Sequence, residues 1–427
     1  MKNFKKVPLF IFIVFFITRW IYQWATGNDH FSLFGDSYRY DELSDRIISG
    51  NFNLDVTAFI TAPLYPWFLA LMKWCFGDHW MMAAATIQYS LVAISGIYLY
   101  KLAKELFQSE TIGRLAAGIY CFFPMTMYYN VLFTQETLFQ SFFILFLYYW
   151  RKTILHPDWR LSTKAGWWYG LSFLTKSHAL ILAPFIFLVQ LGLGSGSLFA
   201  RMKPVFIIAA WSFMLNLPFA LINLKLNHTW TWSSGGTWAF FHNAHSPETY
   251  ETSFHPAYAN SNDRTPIVNL GFIFDTAYVY PKYGKVNQLP QPERDRMHRK
   301  IALEWIEAHP TEFAELKIFS LKRFLLPGAS KRHYRFDLWL ASVLSSFPIY
   351  ILGYFGLIKS LRENWKAHFW AVSVVLMMLA VYMVFLPQAR FRTITLEPLY
   401  IIYAAYAAWY LFQKYSNRKS SVAAPVL

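Results

Sequence analysis

The sequence predicts an all-α protein embedded in a membrane, with about ten transmembrane helices, a first outer loop of interfacial helices and a larger outer loop region. Composition is the first ground: 56% of the 427 residues are hydrophobic and 20% aromatic against 15% charged, which does not suit a soluble chain. Spacing is the second. The apolar residues come in runs of about 16 to 25, the length a helix needs to cross about 30 Å of hydrocarbon. A transmembrane barrel would show alternating segments of about ten residues, and these runs do not alternate. Placement of charge is the third: the formal charge of +15 falls mostly in short links beside apolar runs, where basic residues orient a membrane protein. That placement argues for membrane lipids as partners and against nucleic acid.

In chain order, Lys2, Lys5 and Lys6 precede the apolar run Val7 to Trp24, and no small-residue cleavage site follows. This reads as an uncleaved first helix, 7–25, entering from the cytoplasm. Further helices are expected at 79–100, 112–129, 132–150, 165–176, 178–195, 204–224, 338–358, 367–386 and 394–413. The run 165–176 is too short to cross alone and is expected to meet irregular backbone near Thr175 to His178. Every second link is then basic: Lys101, Lys104 and Arg114; Arg151, Lys152, Arg160 and Lys164; Arg201 and Lys203; Lys359, Arg362 and Lys366; Lys414, Arg418 and Lys419. Both termini come out cytoplasmic. Counting Thr61 to Phe76 as a span would invert every later link, so this short run, with Pro63 and Pro66 near its start, is expected to be interfacial or re-entrant.

The chain thus divides into an N-terminal transmembrane module, 1–224, with an outer loop at 26–78; an extracytoplasmic loop region, 225–337; and C-terminal transmembrane helices with a cytoplasmic tail, 338–427. Within the large outer region Pro292 suits a first helical turn, Ile301, Trp305 and Ile306 share a face, and Pro310 stops the run. Thr311 to Leu326 is amphipathic, with Lys317, Lys322 and Arg323 beside Phe313, Leu316 and Phe319, as suits a helix on a lipid surface. Cys75 and Cys121 lie in apolar stretches and read as buried fillers rather than a disulfide or a metal pair. His242 and His245 lack companion ligands at metal spacing and read as loop residues.

The informative charges are those that membrane topology does not require. The first outer link holds Asp36, Asp41, Glu42 and Asp45. The last three are as well explained as the acidic start of a helix, whereas Asp36 follows Gly35 directly, where a loop meets the bilayer surface, and shares a face with Tyr40. Glu136 sits one turn into the fourth helix, after an outer turn around Tyr129 to Phe133, where it either caps that helix or faces an outer cavity. Lys176, Arg390 and Arg392 stand at outer turns against the positive-inside bias; the alternative to function is snorkelling. Together these residues place cations beside carboxylates on one membrane face, the combination that a phosphate held near a carboxylate base requires. The sequence holds no HExxH, Walker loop, GxSxG or paired CxxC.

Four blocks carry a resemblance. They are Asp36-Ser-Tyr with Ile47-Ile-Ser-Gly50 and Ala62-Pro-Leu-Tyr-Pro66; Phe123-Pro-Met, Tyr128-Tyr and Glu136-Thr-Leu-Phe; Gly170-Leu-Ser-Phe-Leu-Thr-Lys176, where Arg commonly follows the Thr; and Arg390-Phe-Arg392 with Glu397-Pro-Leu. In order and placement the chain resembles the GT-C superfamily of polytopic glycosyltransferases, especially bacterial members of the dolichyl-phosphate-mannose protein mannosyltransferase and aminoarabinose transferase type. It is shorter than the long aminoarabinose-type enzymes, and 225–337 carries no motif assignable to an acceptor.

The resemblance implies a polyprenyl-phosphate-linked sugar as donor and an acceptor hydroxyl on a protein, lipid or glycan. Asp36 would be the base, Glu136 the second acidic position, and Lys176, Arg390 and Arg392 the donor-phosphate ligands. Tyr40, Tyr65 and Tyr128 would line the substrate. A single displacement would invert the anomeric centre. No cofactor is required; a divalent cation between Asp36 and Glu136 stays open, since some relatives use one. The setting would be the bacterial cytoplasmic membrane with the active site outside. Two other readings stand beside this one: a transporter or flippase of a lipid-linked sugar, which would favour charges near the midplane on broken helices, and a non-catalytic protein of the same fold.

Overall fold

A backbone in lipid must satisfy its own hydrogen bonds, and every regular element among the described residues of the computed structural model is helical. Those residues are 6–26, 33, 35–51, 61–228, 230–232, 236–254, 285–286, 289–329, 336–385 and 388–422. Lys2 and Lys5, most of the first outer loop between 27 and 60 apart from 35–51, and the centre of the large outer region at 255–284 lie outside them.

The N-terminal helices are α1 (Lys6–Ala25), α2 (Asp36–Ile48), α3 (Leu64–Phe76), α4 (Trp80–Phe107), α5 (Glu110–Phe122), α6 (Pro124–Asn130), α7 (Glu136–Leu155) and α8 (Trp159–Thr175). A 3-10 turn, Ser177–Leu182, leads to α9 (Ala183–Leu193) and α10 (Leu198–Asn227). Residues 225–337 contribute α11 (Thr237–Ala244), α12 (Pro247–Phe254), α13 (Gln291–Ala308) and α14 (Pro310–Leu325), and α15 (Phe336–Val384) and α16 (Ala389–Val422) follow.

Local chemistry sets several boundaries. The side chains of Ser109, Asp158 and Ser197 accept from the amides of Ile112, Leu161 and Ala200, capping α5, α8 and α10. Pro124 forces extended backbone on Phe123, so the expected helix 112–129 is broken into α5 and α6. The irregular backbone expected near Thr175 is present: Lys176 is extended between α8 and the 3-10 turn. The two helices expected at 338–358 and 367–386 are one element broken at Asn364, whose side chain accepts from the Ala367 amide and starts the second limb.

Among the described residues, four stretches are long and apolar enough to cross a membrane: Lys6–Ala25, Leu64–Phe107, Leu198–Lys225 and Trp339–Val384. Large apolar side chains such as Phe10, Phe199, Phe206 and Leu344 face outward, a surface that only lipid would cover at low cost. The protein is an integral membrane protein. Helix α7 is buried on nearly every side and packs against α4, α8 and α16, so the residue at its N-terminus is held from several directions. Along the α15 and α16 seam, Gly353 and Gly356 lie against Tyr400 and Tyr403; a methyl group at Gly356 would overlap the Tyr403 carbonyl. Small residues permit this backbone approach.

Cys121 is buried as expected, but Cys75 is exposed on α3. The two outer helices expected from Pro292 and Thr311 form as α13 and α14, with His298, Ala302 and Trp305 buried on α13 at helical spacing.

His242 and His245, expected in a loop, lie on α11 and at its C-terminal end, and both are buried. The ring nitrogens Nδ1 of His242 and His298 are 2.9 Å apart, and His245 also meets Lys317 of α14. Burial, then neighbouring cationic groups, push His298 and His245 from 6.5 down to about 3. The unfolded chain therefore binds more protons between these two values, so the packing of this region loses stability as pH falls below 6.5. Hydrogen-exchange protection of 237–254 and 291–308 is expected to drop over that range, and to drop less in His298→Gln. Equal protection across the range would contradict the assignment.

Candidate active site

Gly35, with a positive φ of 57°, turns the chain into α2 so that Asp36 occupies its first turn, where the helix dipole favours a carboxylate. Arg390, in the first turn of α16, donates from Nη1 to Asp36 Oδ2 at 2.5 Å. The same nitrogen is 3.7 Å from Glu136 Oε1. Glu136 begins α7 and is buried; Lys176, at the break after α8, donates to its Oε1 at 2.8 Å. Four elements far apart in sequence thus bring together Asp36, Glu136, Lys176 and Arg390.

Arg39, one helical turn after Asp36, completes the cluster with Nη2 at 3.6 Å from Asp36 Oδ1. Sequence reasoning passed over it, although a basic residue in an outer link, three residues from the favoured acid on a predicted helix, was a signal of the kind used for Lys176. Three cations now face two carboxylates, and an anion would restore the balance. Glu136 Oε2 is buried without a partner, leaving an acceptor for a hydroxyl. Burial alone would raise the Asp36 carboxyl, but Arg390 and Arg39 outweigh it and hold the group well below the usual carboxylate range.

The tyrosines separate. Tyr40 is buried edge-on against Tyr65 at 5.0 Å and reaches the cluster through Gln135, whose amide, oriented by its neighbours, accepts from Tyr40 Oη at 3.2 Å and Lys176 Nζ at 3.3 Å. Tyr65 donates its hydroxyl to Gln88 at 2.7 Å, which makes it a packing support for Tyr40. Tyr128 sits edge-on to Tyr129 at 5.2 Å, against the main hydrophobic core. Asp41 and Asp45 pair with Lys73 of α3, each at 2.6 Å, and tie the two outer helices to each other.

Arg392 is not brought into the cluster. Residues two apart on a helix face opposite sides, so α16 sends Arg390 to Asp36 and Arg392 the other way. The buried Arg392 guanidinium donates to the carbonyls of Arg323, Phe324, Leu326 and Gly328, between the rings of Tyr350 and Tyr382. It satisfies orphan carbonyls at the C-terminus of α14. Arg392→Ala is expected to cost on the order of 3 kcal/mol by stranding these acceptors, read as a lower thermal unfolding midpoint in detergent, with Arg392→Lys recovering only part. An unchanged midpoint for Arg392→Ala would rule out the staple.

Asp36 and Glu136 are bridged by a guanidinium, not spaced around a cation, and among the described residues no group of three His, Cys, Asp or Glu side chains could hold a metal ion.

Residues 61–222 match the family model described as dolichyl-phosphate-mannose-protein mannosyltransferase. Among solved structures, the chain is similar to the archaeal oligosaccharyltransferase AglB from Archaeoglobus fulgidus, in complex with an inhibitory peptide and a dolichol-phosphate, with TM-score 0.55 and 14% identity over 99% of this chain and 53% of that one. The chain therefore spans about half the length of that enzyme. ArnT from Cupriavidus metallidurans bound to undecaprenyl phosphate aligns with TM-score 0.37 and 14% identity over 95% of this chain and 77% of that one. A search of curated proteins finds no match.

Proposed function

From a chain with the fold of the GT-C enzymes, and with the mannosyltransferase family pattern over residues 61–222, we propose a glycosyltransferase that moves a sugar from a polyprenyl-phosphate donor to an acceptor hydroxyl. The observation that carries the reading is the cluster of Asp36, Glu136, Lys176, Arg390 and Arg39. Its setting in this reading is the non-cytoplasmic face of a bacterial cytoplasmic membrane, in keeping with the alternation of basic links.

The donor phosphate engages Arg390, Arg39 and Lys176, and as Arg390 turns toward it, its hold on Asp36 weakens. The carboxylate then gains basicity where it is needed. Asp36 takes the proton of the acceptor hydroxyl while the oxygen attacks the anomeric carbon, the bond from that carbon to the phosphate oxygen breaks, and the electron pair leaves with polyprenyl phosphate. The anomeric centre inverts. Phosphate is already a weak base, so no general acid is needed; preorganised cations stabilise the developing charge. Glu136, fixed by Lys176, accepts from the acceptor through its second oxygen.

The test supplies a labelled polyprenyl-phosphate-sugar mixture to membranes containing the full chain or Asp36→Asn. Label moving to an acceptor, dependent on Asp36, supports the transferase. Donor crossing the bilayer with its glycosidic bond intact, unaffected by Asp36→Asn, would overturn it in favour of a flippase.

A further inference from the structure

Beneath the charged cluster runs a second polar chain that the proposed reaction does not use. In α1, deep in an apolar run, Arg19 is fully buried. Its Nη1 donates to the Cys121 carbonyl at 2.8 Å, at the end of α5 where Phe123 breaks the helix and leaves carbonyls without intrahelical donors. Its Nε donates to Asn130 Oδ1 at 3.0 Å. Asn130 Nδ2 donates to Gln140 Oε1 at 3.2 Å, and Gln140 Nε2 donates to the Thr393 carbonyl at 3.0 Å. Five elements, α1, α5, α6, α7 and α16, are linked through buried polar groups.

The register matters. Gln140 lies one turn below Glu136 on α7, and Thr393 lies three residues beyond Arg390 on α16, so the bond between them joins the turn under the acid to the turn under the guanidinium. Glu136 and Arg390 meet at 3.7 Å, a separation set by how α7 and α16 are docked. We propose that Gln140 is a positioning residue: held in orientation by Asn130 and Arg19, it fixes the first turn of α16 against the first turn of α7 and so places Arg390 between Asp36 and Glu136. The inference rests on the reaction proposed above. A buried amide contributes direction as well as energy, because either end left without a partner is costly.

A control exists in a bond from α9 to the same helix. Near the opposite end of α7, Gln190 Nε2 donates to the Thr153 carbonyl at 3.1 Å, a bond of the same type, also buried. The experiment compares Gln140→Met and Gln190→Met in the purified full chain by thermal midpoint, donor KM, kcat, and hydrogen exchange of residues 389–395. Misplacement of reacting groups by about 1 Å costs on the order of 100-fold. Gln140→Met is therefore expected to lose about 10- to 100-fold in kcat with donor KM within about twofold, and to raise exchange at 389–395. Gln190→Met is expected to lower the midpoint similarly while leaving kcat and that exchange unchanged. Equal kcat losses in both variants, tracking the midpoint, would reduce Gln140 to a structural role and overturn the proposal. Should the wild type transfer no sugar, the proposed reaction fails, and exchange at 389–395 still decides the clamp: a rise confined to Gln140→Met upholds it, and no rise overturns it.

Discussion

Asp36→Asn is expected to lower kcat by about 10²- to 10⁴-fold, the usual contribution of a positioned base, with donor KM unchanged or lower. The amide keeps the size of the side chain, and its oxygen still accepts from Arg390, so this end of the bundle stays assembled. In the proposed reaction, what disappears is the proton acceptor and one negative charge beside the donor phosphate. These act in opposite directions, on chemistry and on ground-state binding. Initial rates across donor concentrations, with the thermal midpoint as a folding control, separate the two. A kcat within threefold of wild type would remove Asp36 from the chemistry.

Arg390→Gln is expected to cost about 10²- to 10³-fold in kcat, the loss typical of one preorganised charge-stabilising group, and to change the pH profile. In the wild type Arg390 and Arg39 keep Asp36 ionised well below the usual carboxylate range, so acidification through pH 5 should leave the base unprotonated. Without Arg390, burial becomes the stronger influence and raises the carboxyl. The base then protonates at a higher pH, and the acidic limb of kcat/KM moves upward. A limb that stayed in place, or moved down, would mean that Arg390 does not govern Asp36.

Particular residues show what one-dimensional reading can reach. Asp36, Glu136, Lys176 and Arg390 were selected because each is a charge that topology does not require, and the fold brings all four within ion-pair distance of a neighbour. The irregular backbone at Lys176 was visible because its apolar run is too short to cross. Arg392 falls elsewhere because Arg390 and Arg392 are both expected in a turn before a helix at 394–413, whereas α16 already begins at Ala389 and helical periodicity separates the two guanidinium groups. Arg19 went unremarked because one cation inside a long apolar run looks like a snorkelling residue; its partners, Cys121 and Asn130, come from helices about a hundred positions away. Tyr65 sits in a block that resembles the family, yet Gln88 takes its hydroxyl. Periodicity says which face a residue occupies, but it does not say which distant residue meets it there.

The approach of α15 and α16 at Gly353 and Gly356 bears on traffic within the bilayer. Where Gly353 and Gly356 meet Tyr400 and Tyr403, backbone lies against backbone and leaves no gap for an isoprenoid chain at that height. In the proposed reaction, a donor lipid reaching Arg390 in the first turn of α16 would pass between helices elsewhere than at this contact.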